Sequence, residues 1–214
     1  DKFCHYIEAI DRNGNVKSNG SVFIVEHSGQ SLLLTAAHTL RNYNDFIFPD
    51  FHNWHAEWIK LHDNYLHIYS DFRKPLFAVY PKNHRELLDA IVLPHHGPAG
   101  PIDFNFKIGD PVKICGWRKA PDKTKFILES TIIDIDDWDI CLDMSLHSSL
   151  QRSGISGGGV YTERGFVGIY FADDIGKPTA HAVNISFQKQ NMCLQLKEDL
   201  YDSDNCETSL PVPF

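Results

Sequence analysis

Short β-type runs recur along the whole chain, and almost nothing of helical period alternates with them. The runs are "SVFIVEH" (21–27), "SLLLTAA" (31–37), "AIVLP" (90–94), "PVKICGW" (111–117), "KFILESTIIDI" (125–135), "GGVYT" (158–162), "GFVGIYFA" (165–172) and "AHAVNISF" (180–187). Val, Ile, Phe and Thr enrich them, and Gly, Pro, Asn or Asp punctuate them, which is the pattern of strands closed by turns. Short strands with such turn signals build antiparallel barrels or a sandwich. The one credible longer helix is "FQKQNMCLQLKEDLY" (187–201), where Met192, Leu194, Leu196 and Leu200 make an approximate apolar stripe. The basic stretch "RKAPDKTK" (118–125) reads as an inter-strand loop or as a boundary between half-domains.

Size and charge narrow the function classes. A chain of 214 residues can bury a real core as one large domain or two small ones. Its 43% hydrophobic and 22% charged content is that of a globular protein. The net charge of -8 argues against sequence-independent binding to nucleic acid or anionic membrane, because both need clustered Lys and Arg. No apolar run approaches the length of a membrane span. The opening Asp1, Lys2, Phe3 shows neither an initiator Met nor a signal peptide, so a processed fragment is expected.

The five cysteines are Cys4, Cys115, Cys141, Cys193 and Cys206. Their odd number, wide spacing and lack of a C-x-x-C motif do not make a disulfide framework or a zinc knuckle. Reduced thiols and an intracellular location are expected, with one or two disulfides left open. An acidic tail covers 201–214, and the segment 50–72 is dense in aromatics and histidines.

Chemistry is concentrated in three short motifs. His38 lies in "LLLTAAHTL" (32–40), directly after an apolar strand. Asp89 lies in "ELLDAIVLP" (86–94), where a carboxylate beside an apolar run is costly unless something pairs with it. Ser156 lies in "GISGGG" (154–159). Each alone has a bland reading: a hydrogen-bonded strand-end histidine, a turn aspartate, a loop serine. Together they supply what a weakly nucleophilic hydroxyl needs. A neutral imidazole takes its proton, and a carboxylate fixes the imidazole's tautomer and stabilises its charged form. Glycines around the serine let the backbone turn tightly and aim N–H groups at an oxyanion.

In order, "TAAH", "DAIVL" and "SGISGGGV" resemble the histidine, aspartate and serine motifs of the trypsin/chymotrypsin-like serine proteases. "GDPVKICGW" (109–117) resembles the strand that opens their second barrel, and "GFVGIYFA" the substrate-binding strand after the serine. The resemblance spans about residues 20–186. It implies an all-β double six-stranded antiparallel barrel in one protease domain over 1–214. The N-terminal barrel would cover about 1–108, and the C-terminal barrel and helix about 109–200. By the same resemblance Ser156 is the nucleophile, His38 the general base then acid, and Asp89 its orienting carboxylate. The N–H groups of Gly154 and Ser156 would form the oxyanion hole. The strand Gly168, Ile169, Tyr170, Phe171, Ala172 would pair with a peptide substrate as an added β-strand. No cofactor or metal is implied, and the partner is a polypeptide, including the chain's own precursor.

The chain departs from digestive members at Ile155, where they carry aspartate, and at Gly159, where they carry proline. It also lacks an Ile-Val-Gly-Gly start, and it has few cysteines. These features lean toward viral polyprotein-processing or bacterial members. No aspartate stands a few residues before Ser156, so a preference for Lys or Arg before the scissile bond is not expected. The pocket walls would come from 149–153, Tyr170 and 180–183. His181 and nearby hydroxyls would favour Gln or Glu, while an apolar slot lined by Tyr170 would favour a hydrophobic residue. A packed strand histidine is the alternative reading of His181.

Rival readings have less support. "GISGG" also fits the nucleophile elbow of α/β-hydrolases, but that fold needs parallel strands alternating with helices, and its acid and histidine follow the serine. Only Asp173, Asp174 and His181 closely follow Ser156. His52, His55, His62 and His67 with Asp63 could ligate a metal, yet no H-E-x-x-H or paired-cysteine spacing occurs. The glycines precede no Lys-Ser/Thr, so a P-loop is not met. A catalytically inactive relative acting as a binding module stays open. So does replacement of Asp89 by Asp63 or Asp71 as the acid.

Overall fold

The protein is described by a computed structural model over residues 2–40, 56, 58–61, 64–67, 76–77, 89–119, 121–147 and 154–185. Its N-terminal strands are β1 (Cys4–Ile10), β2 (Val16–His27), β3 (Gln30–Thr35), β4 (Trp58–Leu61), β5 (Asn64–His67), β6 (Leu76–Phe77) and β7 (Ile91–His95). They form a seven-stranded sheet in the order β5-β4-β1-β2-β3-β7-β6. The C-terminal strands are β8 (Pro111–Trp117), β9 (Lys125–Ile135), β10 (Asp139–Asp143), β11 (Gly159–Tyr161), β12 (Phe166–Asp173) and β13 (Thr179–Asn184). They close into a barrel, β10-β13-β12-β11-β8-β9. The all-β architecture expected from the strand pattern is therefore present, as one closed six-stranded barrel and a half-barrel sheet. The expected helix over 187–201 and the tail over 201–214 lie outside the described residues.

Strands β2, β3 and β7 carry apolar side chains on both faces because both faces are covered. In β2, Val22 and Ile24 enter the core of the N-terminal half, whereas Phe23 and Val25 face the other half. In β3, Leu33 goes inward while Leu32 and Leu34 face across; in β7, Ile91 and Leu93 oppose Val92 in the same way. A strand's side chains alternate in direction, so a run such as "SLLLT" feeds two cores at once. The layer between the halves is completed by Cys115, Phe166, Ile169 and Val183 from the barrel. Burying one Leu or Phe there contributes roughly 1.5–3 kcal/mol. The barrel interior holds Ile114, Ile140, Leu142, Val160, Val167 and Tyr170.

The segment between the halves is anchored by polar contacts. Phe166 N–H donates to Pro101 O at 2.9 Å, and Asp103 N–H returns a bond to Phe166 O at 2.9 Å. The buried carboxylate of Asp103 accepts from Asn105 N–H (2.9 Å), Thr162 Oγ1 (2.7 Å) and Arg164 Nε (2.9 Å). Arg164 also reaches Asp110 at 2.9 Å. The crossing chain is thus held to the β11–β12 turn, and the two halves are set against each other.

Candidate functional site

Strand register brings His38 and Asp89 together. β3 and β7 are antiparallel neighbours with Thr35 opposite Ile91. Beyond that last pair, β3 runs on into the His38 turn, and Asp89 stands two residues before Ile91 on the facing chain. His38 itself sits in a single 3-10 turn, Ala37–Thr39, entered through Ala36 in extended conformation. Asp89 Oδ1 accepts the His38 main-chain N–H at 2.8 Å, and Oδ2 contacts ring Nδ1. The carboxylate side chain is 6% exposed and the imidazole 19%. The costly carboxylate is therefore a paired one, and the imidazole keeps a solvent-facing side. Asp63 and Asp71, the other candidates for the acid, lie outside the described residues.

The glycines around Ser156 are demanded by the backbone and its neighbours. Gly154 has φ +100° and Gly157 φ +83°, the left-handed region that side chains resist. A Cβ on Gly157 would strike Ser21 O and Thr35 Oγ1, and would lie 3.0 Å from Ala36 N. Between them Ile155 is buried and packs against Gly116 as an apolar anchor. Gly158 N–H donates to Ile155 O at 2.7 Å, while Gly157 N–H donates to Tyr170 O at 2.9 Å. Neither Gly154 N–H nor Ser156 N–H donates to any acceptor among the described residues. Ser156 is half-buried.

The Ser156 loop belongs to the barrel but rests on the N-terminal sheet beside the His38 turn. Ser156 O accepts Ser21 N–H at 2.9 Å. A Cβ at Gly20 would lie 3.0 Å from Ser156 O and 3.0 Å from Thr39 Cγ2, so the Ser156 loop and the residue after His38 converge on one glycine. Ser21 was not singled out in the sequence. Its signal was a hydroxyl inside an otherwise apolar buried run, which has to find partners.

Two sequence expectations about the substrate side need correction. Gly168 and Ile169 are paired on both edges, to Val160 and Gly159 on β11 and to Asn184 and Val183 on β13. Tyr170 N–H and C=O are both taken, by Gly158 O and Gly157 N–H at 2.9 Å. A closed barrel leaves no free edge there, so an added strand cannot pair with 168–170. Only 171–173 extends past β11. The Tyr170 side chain points into the barrel interior with its hydroxyl bonded to Asp173, so it lines no slot.

His181 is also committed elsewhere. Its Nδ1 bonds Asp139 at 2.5 Å and its Nε2 faces Asp174 at 3.2 Å. The Asp139 hydrogen bond, with Asp174 adding to it, raises the imidazole to about 9. Both ring nitrogens are occupied by carboxylates, so His181 has no donor left for a substrate Gln or Glu. Cys141 stands opposite it on β10, but burial and the carboxylates of Asp139, Asp174 and Asp134 push its thiol up. A thiol held protonated is a poor nucleophile.

The residues of the rival metal reading, His52, His55, His62 and Asp63, lie outside the described residues, as does the side chain of His67. Among the described residues no group of three such side chains converges as a metal site. Cys4, Cys115 and Cys141 are unbridged, and Cys193 and Cys206 lie outside the described residues. No helix among the described residues is long and apolar enough to cross a membrane.

No protein-family model and no curated protein sequence matches the chain. Solved structures do. A thermostable serine protease, AL20, from an extremophilic microorganism aligns with TM-score 0.60 at 15% identity, covering 89% of this chain and 94% of that one. A serine endoprotease from Yersinia pestis aligns with TM-score 0.59 at 18% identity over 94% of this chain; the alignment spans 64% of that protein's length. A Sesbania mosaic virus structure, concerned with coupled folding and binding of the disordered VPg protein, aligns with TM-score 0.55 at 15% identity, covering 92% and 98%. The chain has the fold of the chymotrypsin-like serine proteases.

Proposed function

We propose that the chain is a serine endopeptidase that cleaves peptide bonds through an acyl-enzyme on Ser156. The observation that carries this reading is the two-point contact of Asp89 with His38. With Nδ1 engaged by the carboxylate, the neutral ring presents its lone pair at Nε2, the nitrogen that acts as the base. His38 takes the Ser156 hydroxyl proton as Oγ attacks the scissile carbonyl. The N–H groups of Gly154 and Ser156, without acceptors among the described residues, receive the developing oxyanion. His38 then gives the proton to the departing amine, and water repeats the cycle on the ester. The peptide substrate pairs with 171–173.

The substrate class is a polypeptide, and a viral polyprotein is the target toward which the sequence resemblance leans. A fold likeness to a Sesbania mosaic virus structure is compatible with a viral setting. Cleavage of the chain's own extended precursor, lost on Ser156→Ala, is the check on it.

Intact-mass labelling with a fluorophosphonate tests the peptidase reading. A single adduct on Ser156, absent from Ser156→Ala and His38→Ala, is expected. No adduct on folded protein would overturn it and leave a binding module.

A further inference from the structure

Ser21 is completely buried, with three hydrogen bonds to the C-terminal half and one within its own half. Its N–H donates to Ser156 O at 2.9 Å. Its Oγ donates to Gly154 O at 3.1 Å and accepts Trp117 N–H at 2.8 Å. Its carbonyl accepts Thr35 Oγ1 at 2.8 Å. Donor and acceptor capacity of the hydroxyl are both used.

The peptide planes around the nucleophile are held one after another. The plane carrying Gly154 C=O is pinned by Ser21 Oγ, and the plane carrying Ser156 C=O by Ser21 N–H. The plane between them, which bears Ser156 N–H, is pinned through Ile155 O by Gly158 N–H. A planar peptide unit fixed at one end is fixed at the other, so Ser21 controls the amide dipoles on both sides of Ser156 N–H. The Ile155 side chain packs against Gly116, so beside the main-chain bonds of Gly157 and Gly158 it is Ser21 that anchors the loop directionally from the other half.

We infer that Ser21 is a positioning residue for the nucleophile and oxyanion loop, reaching it from the opposite half. It touches no reacting atom. Thr35, on the strand that leads to His38, fixes the Ser21 carbonyl, so the base and the nucleophile loop are set from one hydrogen-bonded chain. This inference rests on the endopeptidase reading.

The test compares Ser21→Ala with wild type by active-site titration with a fluorophosphonate and by peptide hydrolysis per titrated site. Positioning predicts a fall in kcat per titrated site on the order of 10²-fold, since small misplacements of a reacting group cost that much. KM and the pH dependence should stay unchanged, because the His38–Asp89 contact is untouched. A smaller titratable fraction with unchanged kcat per site would overturn the proposal, because that is mere loss of folded protein. Should Ser21→Ala not fold, Thr35→Val removes only the bond to the Ser21 carbonyl and should lower kcat per site about tenfold. No change there would overturn the proposal as well.

Amide hydrogen exchange supplies an arm independent of activity. In Ser21→Ala, or in Thr35→Val if that is the variant that folds, exchange at Gly157 and Gly158 should rise about tenfold or more over wild type. Unchanged exchange would overturn the proposal. If the wild type takes no label at all, the peptidase reading falls while exchange still decides whether Ser21 holds the loop.

Discussion

Asp89 grips His38 at two points, taking the main-chain N–H on one carboxylate oxygen and the ring Nδ1 on the other. Two contacts fix both the position of the turn and the face of the imidazole. In Asp89→Asn, an amide nitrogen turned toward Nδ1 would favour the opposite tautomer and place the proton on Nε2, removing the base. We expect kcat to fall on the order of 10³–10⁴-fold. Peptide hydrolysis beside a thermal melt checks it: full activity in the folded variant would exclude Asp89 from the mechanism.

Gly157→Ala should prevent normal folding of the Ser156 loop. The backbone there has φ +83°, and the added methyl would collide with Ser21 O and Thr35 Oγ1 across the junction of the two halves. Strain and overpacking together suggest a loss of about 3 kcal/mol or more. Urea denaturation of the variant measures it, and an unchanged midpoint would contradict the packing described.

Asp103 concentrates three hydrogen bonds in a buried position between the halves. Asp103→Ala leaves the Thr162 hydroxyl and the Asn105 N–H without that acceptor and releases Arg164. A loss of about 2–4 kcal/mol is expected from such orphaned partners. The readout is again a denaturation midpoint, with Arg164→Gln as the companion expected to be milder because that side chain is largely exposed.

The His181 cluster should make stability depend on alkaline pH. Its imidazole is raised from 6.5 to about 9 by Asp139, so the folded state binds a proton that the unfolded chain has released. The stabilisation is fully present below about pH 6.5 and is lost as pH rises through about 9. On the acid side Asp174, held low by Thr179 and His181, adds stability above 3.8 that disappears as pH falls. The stability gap between wild type and His181→Asn should therefore be wide at pH 6 and narrow at pH 10. An equal gap at both would show that the imidazole is neutral in the folded protein.

The sequence by itself determined the strand inventory and the order of the chemical motifs. Both are local: "SLLLT" and "AIVL" read as strands from their residue types, and Gly154 and Gly157 announce a turn that only glycine can make. Even the two-sided burial of β3 and β7 is written in their unbroken apolar runs. The misreadings concern Tyr170, His181 and the 168–170 stretch, and they share a cause. Whether a strand edge is free, or an imidazole already spoken for, depends on which distant segment lies beside it. β11 covers the edge of Gly168 and Ile169, and Asp139 and Asp174 take both nitrogens of His181.

Tertiary structure alone decided the partnerships. The sequence left Asp63 and Asp71 open beside Asp89; the antiparallel register of β3 with β7 is what carries Asp89 to His38. Ser21 gave no motif at all, because a hydroxyl's importance lies in the groups it meets, and its partners stand at 35, 117, 154 and 156. Hydrophobic pattern and turn chemistry act within a few residues and can be read along the chain. Hydrogen-bond partners and buried ion pairs are chosen by contacts between remote segments, and those exist only once the chain has folded.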